Sequence, residues 1–245
     1  MARLARELSE NGLYHIVFRG VNRQHIFEEA FDYEKLRDIL IELKEEMNFQ
    51  IYAYCFMSNH VHILLKEKEM GDISLIMKRI LTKYARWYNI KYGRSGALIA
   101  NRYKSKPIEV DEYFLSVIRY IHQNPIKAKM INNLSEYEWS SYNEYITNKQ
   151  GLTDKEFVLE MITRDGFIEF HKKEEELSFN VDDKIKISDD EIRINILKKI
   201  GVEPKCIREM EKNRRNEILR ELKNKYSIRQ LERVTGVSRG VIHKC

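Results

Sequence analysis

The segment FQIYAYCFMSNHVHILLK, residues 49–66, decides the fold because it joins two strand-like runs through a two-residue turn. β-Branched and aromatic residues dominate residues 49–57, and apolar residues recur over residues 60–66, a composition that favours β-strands. Ser58 and Asn59 between the two runs are typical of a tight turn. The segment therefore predicts a β-hairpin.

Further strands and helices are predicted on both sides of this hairpin. Alternating apolar side chains predict a strand over residues 13–19, and a fourth strand is expected over residues 102–110. Apolar stripes at helical spacing predict three helices, which cover residues 32–48, 72–92 and 111–124. The resulting order, β-α-β-β-α-β-α, predicts an α+β fold with a ferredoxin-like antiparallel sheet and an appended helix.

The second half of the chain reads as helical. The tetrapeptide SDDE, residues 188–191, has the pattern of a capping box at the start of a helix. We therefore expect a first domain over residues 1–150, a helical and acidic linker over residues 151–187, and an all-α domain over residues 188–245.

Composition narrows the class of protein before any catalytic motif is considered. Of the 245 residues, 33% are charged, and no apolar run approaches the roughly 20 residues of a membrane-spanning helix. The three cysteines are far apart, which argues against a disulfide framework and a Cys-x-x-Cys zinc site. We therefore expect a soluble cytoplasmic protein, associated with the nucleoid, that has no membrane partner.

Charge is distributed unevenly along the chain. Residues 70–108 contain nine basic residues and one acidic residue, and residues 201–245 contain twelve basic and six acidic residues. Residues 151–200 between them contain nine basic and thirteen acidic residues. Two separate basic regions favour a nucleic-acid partner, whereas a single basic stripe is more often a solvated helix surface.

His60 and His62 are separated by one residue of a predicted strand. Because strand side chains alternate between the two faces of a sheet, both imidazoles are expected on one face. Two neighbouring imidazoles can bind a divalent metal. Exposed or hydrogen-bonded histidines without a metal are the alternative, and the motif alone leaves both open.

Tyr120 and Asn124 lie one turn apart in the helix predicted over residues 111–124, so they share a helix face. Pro125 is expected to end this helix. Asn124 offers a carbonyl oxygen suited to Mg²⁺ or Mn²⁺, and Tyr120 offers a phenol that could act as a nucleophile. A buried core tyrosine and an ordinary helix-terminal asparagine are the alternatives.

Four motifs occur in series along the first domain. They are YHIVFRG at residues 14–20, YAYCFMSNHVHILL at 52–65, NRYKS at 101–105 and YIHQNP at 120–125. Together these motifs resemble the single-tyrosine transposases of the HUH endonuclease superfamily, and among them the REP-associated tyrosine transposases. The resemblance covers roughly residues 8–146.

The resemblance implies a metal-dependent endonuclease and strand transferase that acts on single-stranded DNA at hairpins. Tyr120 is the implied nucleophile, which would form a 5′-phosphotyrosine intermediate and release a 3′-hydroxyl. His60, His62 and Asn124 are the implied ligands of a Mg²⁺ or Mn²⁺ ion that polarises the scissile phosphate. Residues 1–150 are accordingly the expected nuclease domain.

Basic residues outside this implied site are expected to contact DNA phosphates. In the first domain these residues are Arg79, Lys83, Arg86, Arg102, Lys104 and Lys106. Tyr88 and Tyr92, which lie among them in the sequence, could stack bases.

Residues 227–242, SIRQLERVTGVSRGVI, have the pattern of a helix-turn-helix with Gly236 in the turn. We expect this module to bind duplex DNA, although any other helical hairpin would have a similar apolar pattern. The side chains expected to face the DNA groove are Arg239, His243 and Lys244.

Two other functions fit parts of this pattern. One is a non-catalytic DNA-binding regulator that uses the helix-turn-helix and keeps the nuclease fold as a relic, and the other is a plasmid-type replication initiator. The intact set of His60, His62, Tyr120 and Asn124 favours an enzyme. A single candidate tyrosine after the histidine pair favours a transposase over an initiator. The protein is expected to be a monomer or a homodimer.

Overall fold

The chain folds into two compact units, with the division between residues 182 and 183. The computed structural model describes residues 8–100, 102–108, 111–147, 150–173, 189–223, 226 and 228–245. In this part of the chain, no helix is both long enough and apolar enough to cross a bilayer.

The first unit contains four strands and six helices among its described residues. The strands are β1 (Leu13–Arg19), β2 (Gln50–Met57), β3 (His60–Lys66) and β4 (Lys104–Pro107). The helices are α1 (Ala30–Met47), α2 (Ile73–Lys91), α3 (Asp111–Lys127), α4 (Tyr142–Ile146), α5 (Lys155–Met161) and α6 (Arg164–Lys172). Up to α3 the elements follow the order predicted from the sequence.

The four strands form one antiparallel sheet in the order β2-β3-β1-β4. This strand order, together with the β-α-β-β-α-β connectivity, is that of a ferredoxin-like sheet, and it confirms the predicted fold class. The hairpin predicted from residues 49–66 joins β2 to β3, with Met57 opposite His60. Strand β4 is shorter than the predicted 102–110.

Each face of the sheet is covered by a separate hydrophobic core. On one face, β1 residues such as Ile16 pack with apolar side chains of α1 and α2, including Leu40 and Ile80. On the other face, Cys55 and Leu64 pack with α3. Four apolar side chains at helical spacing on α3 are buried in this second core, as the apolar stripe predicts. They are Phe114, Val117, Ile118 and Ile121.

The prediction that Pro125 ends α3 is wrong, because the helix continues to Lys127. A proline lacks the N–H that would bond to the carbonyl four residues earlier, which here belongs to Ile121. The side chain of Asn124 replaces this donor, since its Nδ2 donates to the carbonyl oxygens of Tyr120 at 2.9 Å and Ile121 at 3.3 Å. The helix therefore continues past the proline, and the Ile121 carbonyl still accepts a hydrogen bond.

The structure also differs from the predicted linker over residues 151–187. Helices α5 and α6 within this range pack against the first unit, where Val158 and Phe167 are fully buried in the same core as α3. The alternation of charged and apolar residues in these short helices is typical of an exposed segment. Their packing against the first unit was therefore not predicted from the sequence. Residues 174–188 lie outside the described residues.

The second unit is helical in all its described segments. Its helices are α7 (Asp189–Ile200), α8 (Lys212–Lys223), α9 (Ile228–Thr235) and α10 (Arg239–Lys244), with a 3-10 turn at Pro204–Glu209. The predicted helix-turn-helix corresponds to α9 and α10, which are joined at Gly236 with a φ of 71°. Leu231, Val237 and Ile242 are buried in its core, as their spacing predicts. The predicted capping residue Ser188 lies outside the described residues.

Candidate active site

His60 and His62 lie on the sheet face that α3 covers. In an antiparallel sheet, side chains of directly opposed residues point to the same face. His62 is opposite Cys55 of β2 and Val17 of β1, and Cys55 packs in the core beneath α3. The two imidazole rings meet edge to face with their centroids 5.0 Å apart. The expectation of two adjacent imidazoles on one face agrees with this geometry.

Tyr120 reaches this histidine pair from α3. Its ring centroid is 6.0 Å from that of His62, in an edge-to-face arrangement, and its side chain is 4% exposed. The helix face that carries Tyr120 also carries Asn124, one turn further along, and Lys127 after a second turn. The phenol of Tyr120 therefore meets the imidazole of His62 between α3 and β3, and His60 lies beside His62.

Hydrogen bonds hold both imidazoles through their Nδ1 atoms. His60 Nδ1 lies 2.6 Å from Asn59 Oδ1, and His62 Nδ1 lies 3.1 Å from the Nε2 atom of His15 on β1. An amide oxygen only accepts, so Nδ1 of His60 carries the proton and its Nε2 carries the lone pair. Burial lowers the pKa of His62 well below its usual value, and the adjacent His15 and His60 add to this effect. A buried neutral imidazole is the form that binds a metal.

The donor set fits a hard divalent ion only if an amide oxygen contributes. In the described part of the chain, no group of three or more His, Cys, Asp or Glu side chains could hold a metal ion. Asn124 uses Nδ2 for its bonds to the helix carbonyls, which directs its Oδ1 away from them. An amide oxygen and two imidazole nitrogens are ligands compatible with Mg²⁺ or Mn²⁺.

Lys104 and Lys106 share the sheet face of the histidine pair. Lys106 is opposite His15 and Lys104 is opposite Val17, so both point to the side covered by α3. Both side chains are exposed on the edge strand β4. Arg102 just before this strand is also exposed. These three predicted phosphate contacts therefore lie on strand β4 or directly before it.

Arg79 and Lys83 belong to the opposite layer of the domain. They lie on α2 and form ion pairs with α1, in which Arg79 contacts Glu46 at 2.6 Å and Lys83 contacts Glu42. Arg86 is exposed on the same helix. Helices α1 and α2 cover the sheet face away from the histidines. The structure does not bring this basic stripe to the candidate active site.

The prediction that Tyr88 and Tyr92 stack bases is not supported by their packing. Tyr88 is 1% exposed, and its hydroxyl donates to Glu28 at 3.0 Å. The Tyr92 hydroxyl donates to the buried carboxylate of Asp32 at 2.8 Å. For Tyr88, the prediction is wrong because its ring lies inside the core.

Two residues beside the site were missed by the sequence analysis. Lys127 places its Nζ 4.5 Å from the ring centroid of Tyr120. Its spacing of seven residues from Tyr120 was a usable signal, since i and i+7 share a helix face. His15, the partner of His62, gave no signal in the sequence because the pairing depends on which strands become neighbours.

The three residues of the second unit that are predicted to face the DNA groove all lie on α10. Arg239 is 60% exposed and pairs with Glu232 of α9 at 2.5 Å. His243 is exposed. The side chain of Lys244 lies outside the described part of the structure, so its predicted role stays a prediction.

Comparison with known proteins gives concordant matches. The model of the IS200-like transposase family matches residues 9–124, a little under half of the chain. A protein of Haemophilus influenzae that bears the name REP-associated tyrosine transposase is 25% identical over 157 residues, which cover 58% of this chain and 86% of that protein. A solved REP-associated tyrosine transposase bound to a REP hairpin matches with a TM-score of 0.51 and 19% identity, over 60% of this chain and 86% of the other.

The first unit is therefore similar, in sequence and in its ferredoxin-like fold, to proteins that are named transposases. The structural match, at its low identity, supports the fold. Residues 9–124 match the model of the IS200-like transposase family, and this similarity confirms the resemblance inferred from the four motifs.

Proposed function

We propose that this protein is a metal-dependent endonuclease and strand transferase that acts on single-stranded DNA beside hairpins. The observation that carries the proposal is the approach of Tyr120 to His62, with His60 next to it on the same sheet face. A nucleophile beside a pair of imidazoles that can bind a metal is an arrangement suited to metal-assisted phosphoryl transfer. The similarity of residues 9–124 to a transposase family supports the same chemistry.

In the proposed reaction, the phenol of Tyr120 releases its proton to water and its oxygen attacks the scissile phosphorus. The bond between phosphorus and the 3′ oxygen breaks, and that oxygen takes up a proton to become a 3′-hydroxyl. The product is a 5′-phosphotyrosine, which conserves the phosphodiester energy so that the strand can be rejoined. A Mg²⁺ or Mn²⁺ ion bound by His60, His62 and Asn124 would supply polarisation of a phosphate oxygen.

Basic residues around Tyr120 support a DNA path along this face. Lys104 and Lys106 are exposed on the edge strand, on the side of the histidines. Lys127 lies over the Tyr120 ring and is therefore close to the phosphate that would be transferred. A relative of this domain was solved with a hairpin bound, which makes hairpin DNA the substrate of choice for testing.

The second unit is proposed to bind duplex DNA and to raise the local concentration of the nuclease domain at its target. Its α9–turn–α10 geometry and the exposed Arg239 and His243 support this role. Linked sites raise overall affinity through effective concentration without any new contact. Duplex binding should weaken in Arg239→Ala, and it should fall steeply between two salt concentrations because bound phosphates release counterions.

Covalent adduct formation tests the nucleophile. The full chain is incubated with Mn²⁺ and a hairpin oligonucleotide labelled on the 3′ side of the cleavage position. We expect a labelled protein adduct that Tyr120→Phe lacks and that Tyr113→Phe, altered two turns earlier on the same helix, retains. An adduct of unchanged yield in Tyr120→Phe would assign the nucleophile to another residue.

Metal dependence is tested separately. His60→Ala and His62→Ala should abolish cleavage but retain hairpin binding, because phosphate contacts dominate affinity. Cleavage that persists in excess EDTA would refute the metal site. Duplex binding by a protein that never cleaves any hairpin would favour the DNA-binding regulator instead.

A further inference from the structure

His15 is a completely buried histidine that the proposed reaction does not use. It lies on β1, next to β3, with its side chain 0% exposed. Its Nε2 atom is 3.1 Å from Nδ1 of His62, and the two rings stack with centroids 5.3 Å apart. The same ring contacts the edge of Tyr120 at a centroid distance of 5.7 Å.

This hydrogen bond can be made in two ways, and only one of them suits a metal ligand. A neutral imidazole carries one N–H donor and one lone pair. If His62 donates its Nδ1–H to His15, then Nε2 of His62 carries the lone pair. If His15 donates instead, Nε2 of His62 carries the proton and cannot bind a metal.

We propose that His15 is a positioning residue that accepts the Nδ1–H of His62 and so holds His62 in the tautomer whose Nε2 binds the metal. The inference rests on the proposed metal site. Histidine ligands generally donate their second ring nitrogen to a nearby acceptor, which fixes both the tautomer and the ring orientation. Asn59 has the corresponding role for His60, because its Oδ1 accepts the hydrogen bond from the Nδ1–H of His60 at 2.6 Å.

Two substitutions separate the hydrogen bond from simple packing. His15→Gln keeps an acceptor, because its amide oxygen reaches near the former position of Nε2. His15→Leu has comparable bulk but no acceptor. Mn²⁺ affinity of the full chain is measured by electron paramagnetic resonance, which counts free Mn²⁺, and folding is followed by thermal unfolding.

We expect His15→Leu to weaken Mn²⁺ binding by about 10- to 100-fold, the usual effect of losing such a partner. His15→Gln should restore most of that affinity. Equal Mn²⁺ affinities in folded His15→Leu and in the unsubstituted protein would overturn the inference. His60→Ala is the control for the site itself: if it also binds Mn²⁺ normally, the proposed metal site is wrong, and the inference falls with it.

The tautomer itself gives a second measurement that needs neither cleavage nor a substitution. In ¹⁵N NMR spectra of the unsubstituted, metal-free chain, His62 should show a protonated Nδ1 and an unprotonated Nε2. An Nε2–H tautomer of His62 would overturn the inference. This measurement decides the question if His15→Leu does not fold.

Discussion

Helix α6 packs against α3, the helix that carries Tyr120, so its removal should abolish the proposed nuclease activity. Three side chains of α3 contact this helix and the residue after it. Arg119 Nη1 donates to the Phe170 carbonyl at 3.1 Å, and His122 Nδ1 lies 2.9 Å from His171 Nε2. Gln123 donates to the carbonyl oxygens of residues 171 and 173 at 3.1 and 2.8 Å. These contacts lie beside Tyr120 in sequence, so they help to fix its helix.

The expected loss is comparable to the stability of a whole domain. A chain cut after residue 150 loses Val158 and Phe167, two fully buried side chains that contribute about 1.5–3 kcal/mol each. The lost hydrogen bonds from α3 contribute about 0.5–1.5 kcal/mol each, because water replaces their partners once α6 is removed. Ordinary domains are stable by only about 5–15 kcal/mol in total. Residues 1–150 alone should therefore fail to hold α3 in place.

The matched comparison is between chains of residues 1–150 and 1–173, neither of which contains the second unit. We expect the longer chain to unfold cooperatively in urea and to nick hairpin DNA, and the shorter chain to do neither. Within the full chain, Phe167→Ala should cost about 3–5 kcal/mol of unfolding free energy. The control is Met161→Ala, whose side chain is 44% exposed.

Equal urea midpoints for the two truncated chains would refute this reasoning. So would a Phe167→Ala effect no larger than that of Met161→Ala. Nicking by residues 1–150 would show that α3 keeps its orientation without α6. It would also support the prediction that a linker begins at residue 151.

Three further predictions each concern the substitution of a single side chain. Asn124→Ala should lower Mn²⁺ affinity and also cost about 1 kcal/mol in urea unfolding, because it removes both the proposed metal ligand and the donor to the helix carbonyls. Lys106→Glu should weaken hairpin binding, measured by fluorescence anisotropy, more than Lys83→Glu does, since Lys83 lies in the opposite layer. Burial lowers the pKa of His171 from 6.5 to about 4, so the unfolded chain binds the extra proton between these values. Stability should be complete above about pH 6.5 and fall as the pH drops toward 4, with a shallower urea-midpoint profile in His171→Gln.

Features that depend on local periodicity were predictable from the sequence. The alternation around His60 and His62 required only the two-residue repeat of a strand, and the apolar stripe of α3 required only helical spacing. Their order along the chain then restricted the topology to a ferredoxin-like sheet. The resemblance to a family followed from motifs that contain His15, His62 and Tyr120, which the fold brings together on one sheet face.

Features that depend on which elements become neighbours were not predictable in the same way. The His15–His62 contact requires β1 to lie beside β3, and sequence spacing does not specify that partner. The basic residues of α2 looked equivalent to those of β4 in the sequence. The structure separates them because α2 covers one face of the sheet, whereas Lys104 and Lys106 point to the other.

Asn124 shows how one side chain can serve both the helix and the proposed metal site. Pro125 leaves the Ile121 carbonyl without its usual donor, and the Nδ2 group of Asn124 fills that place at 3.3 Å. A carboxylate has no N–H to donate, so an aspartate here would set a negative oxygen against that carbonyl. The amide donates on one side and presents a carbonyl oxygen on the other. The Asn-Pro pair thereby extends α3 past the proline while it keeps a neutral amide oxygen, the proposed metal ligand, one turn from Tyr120.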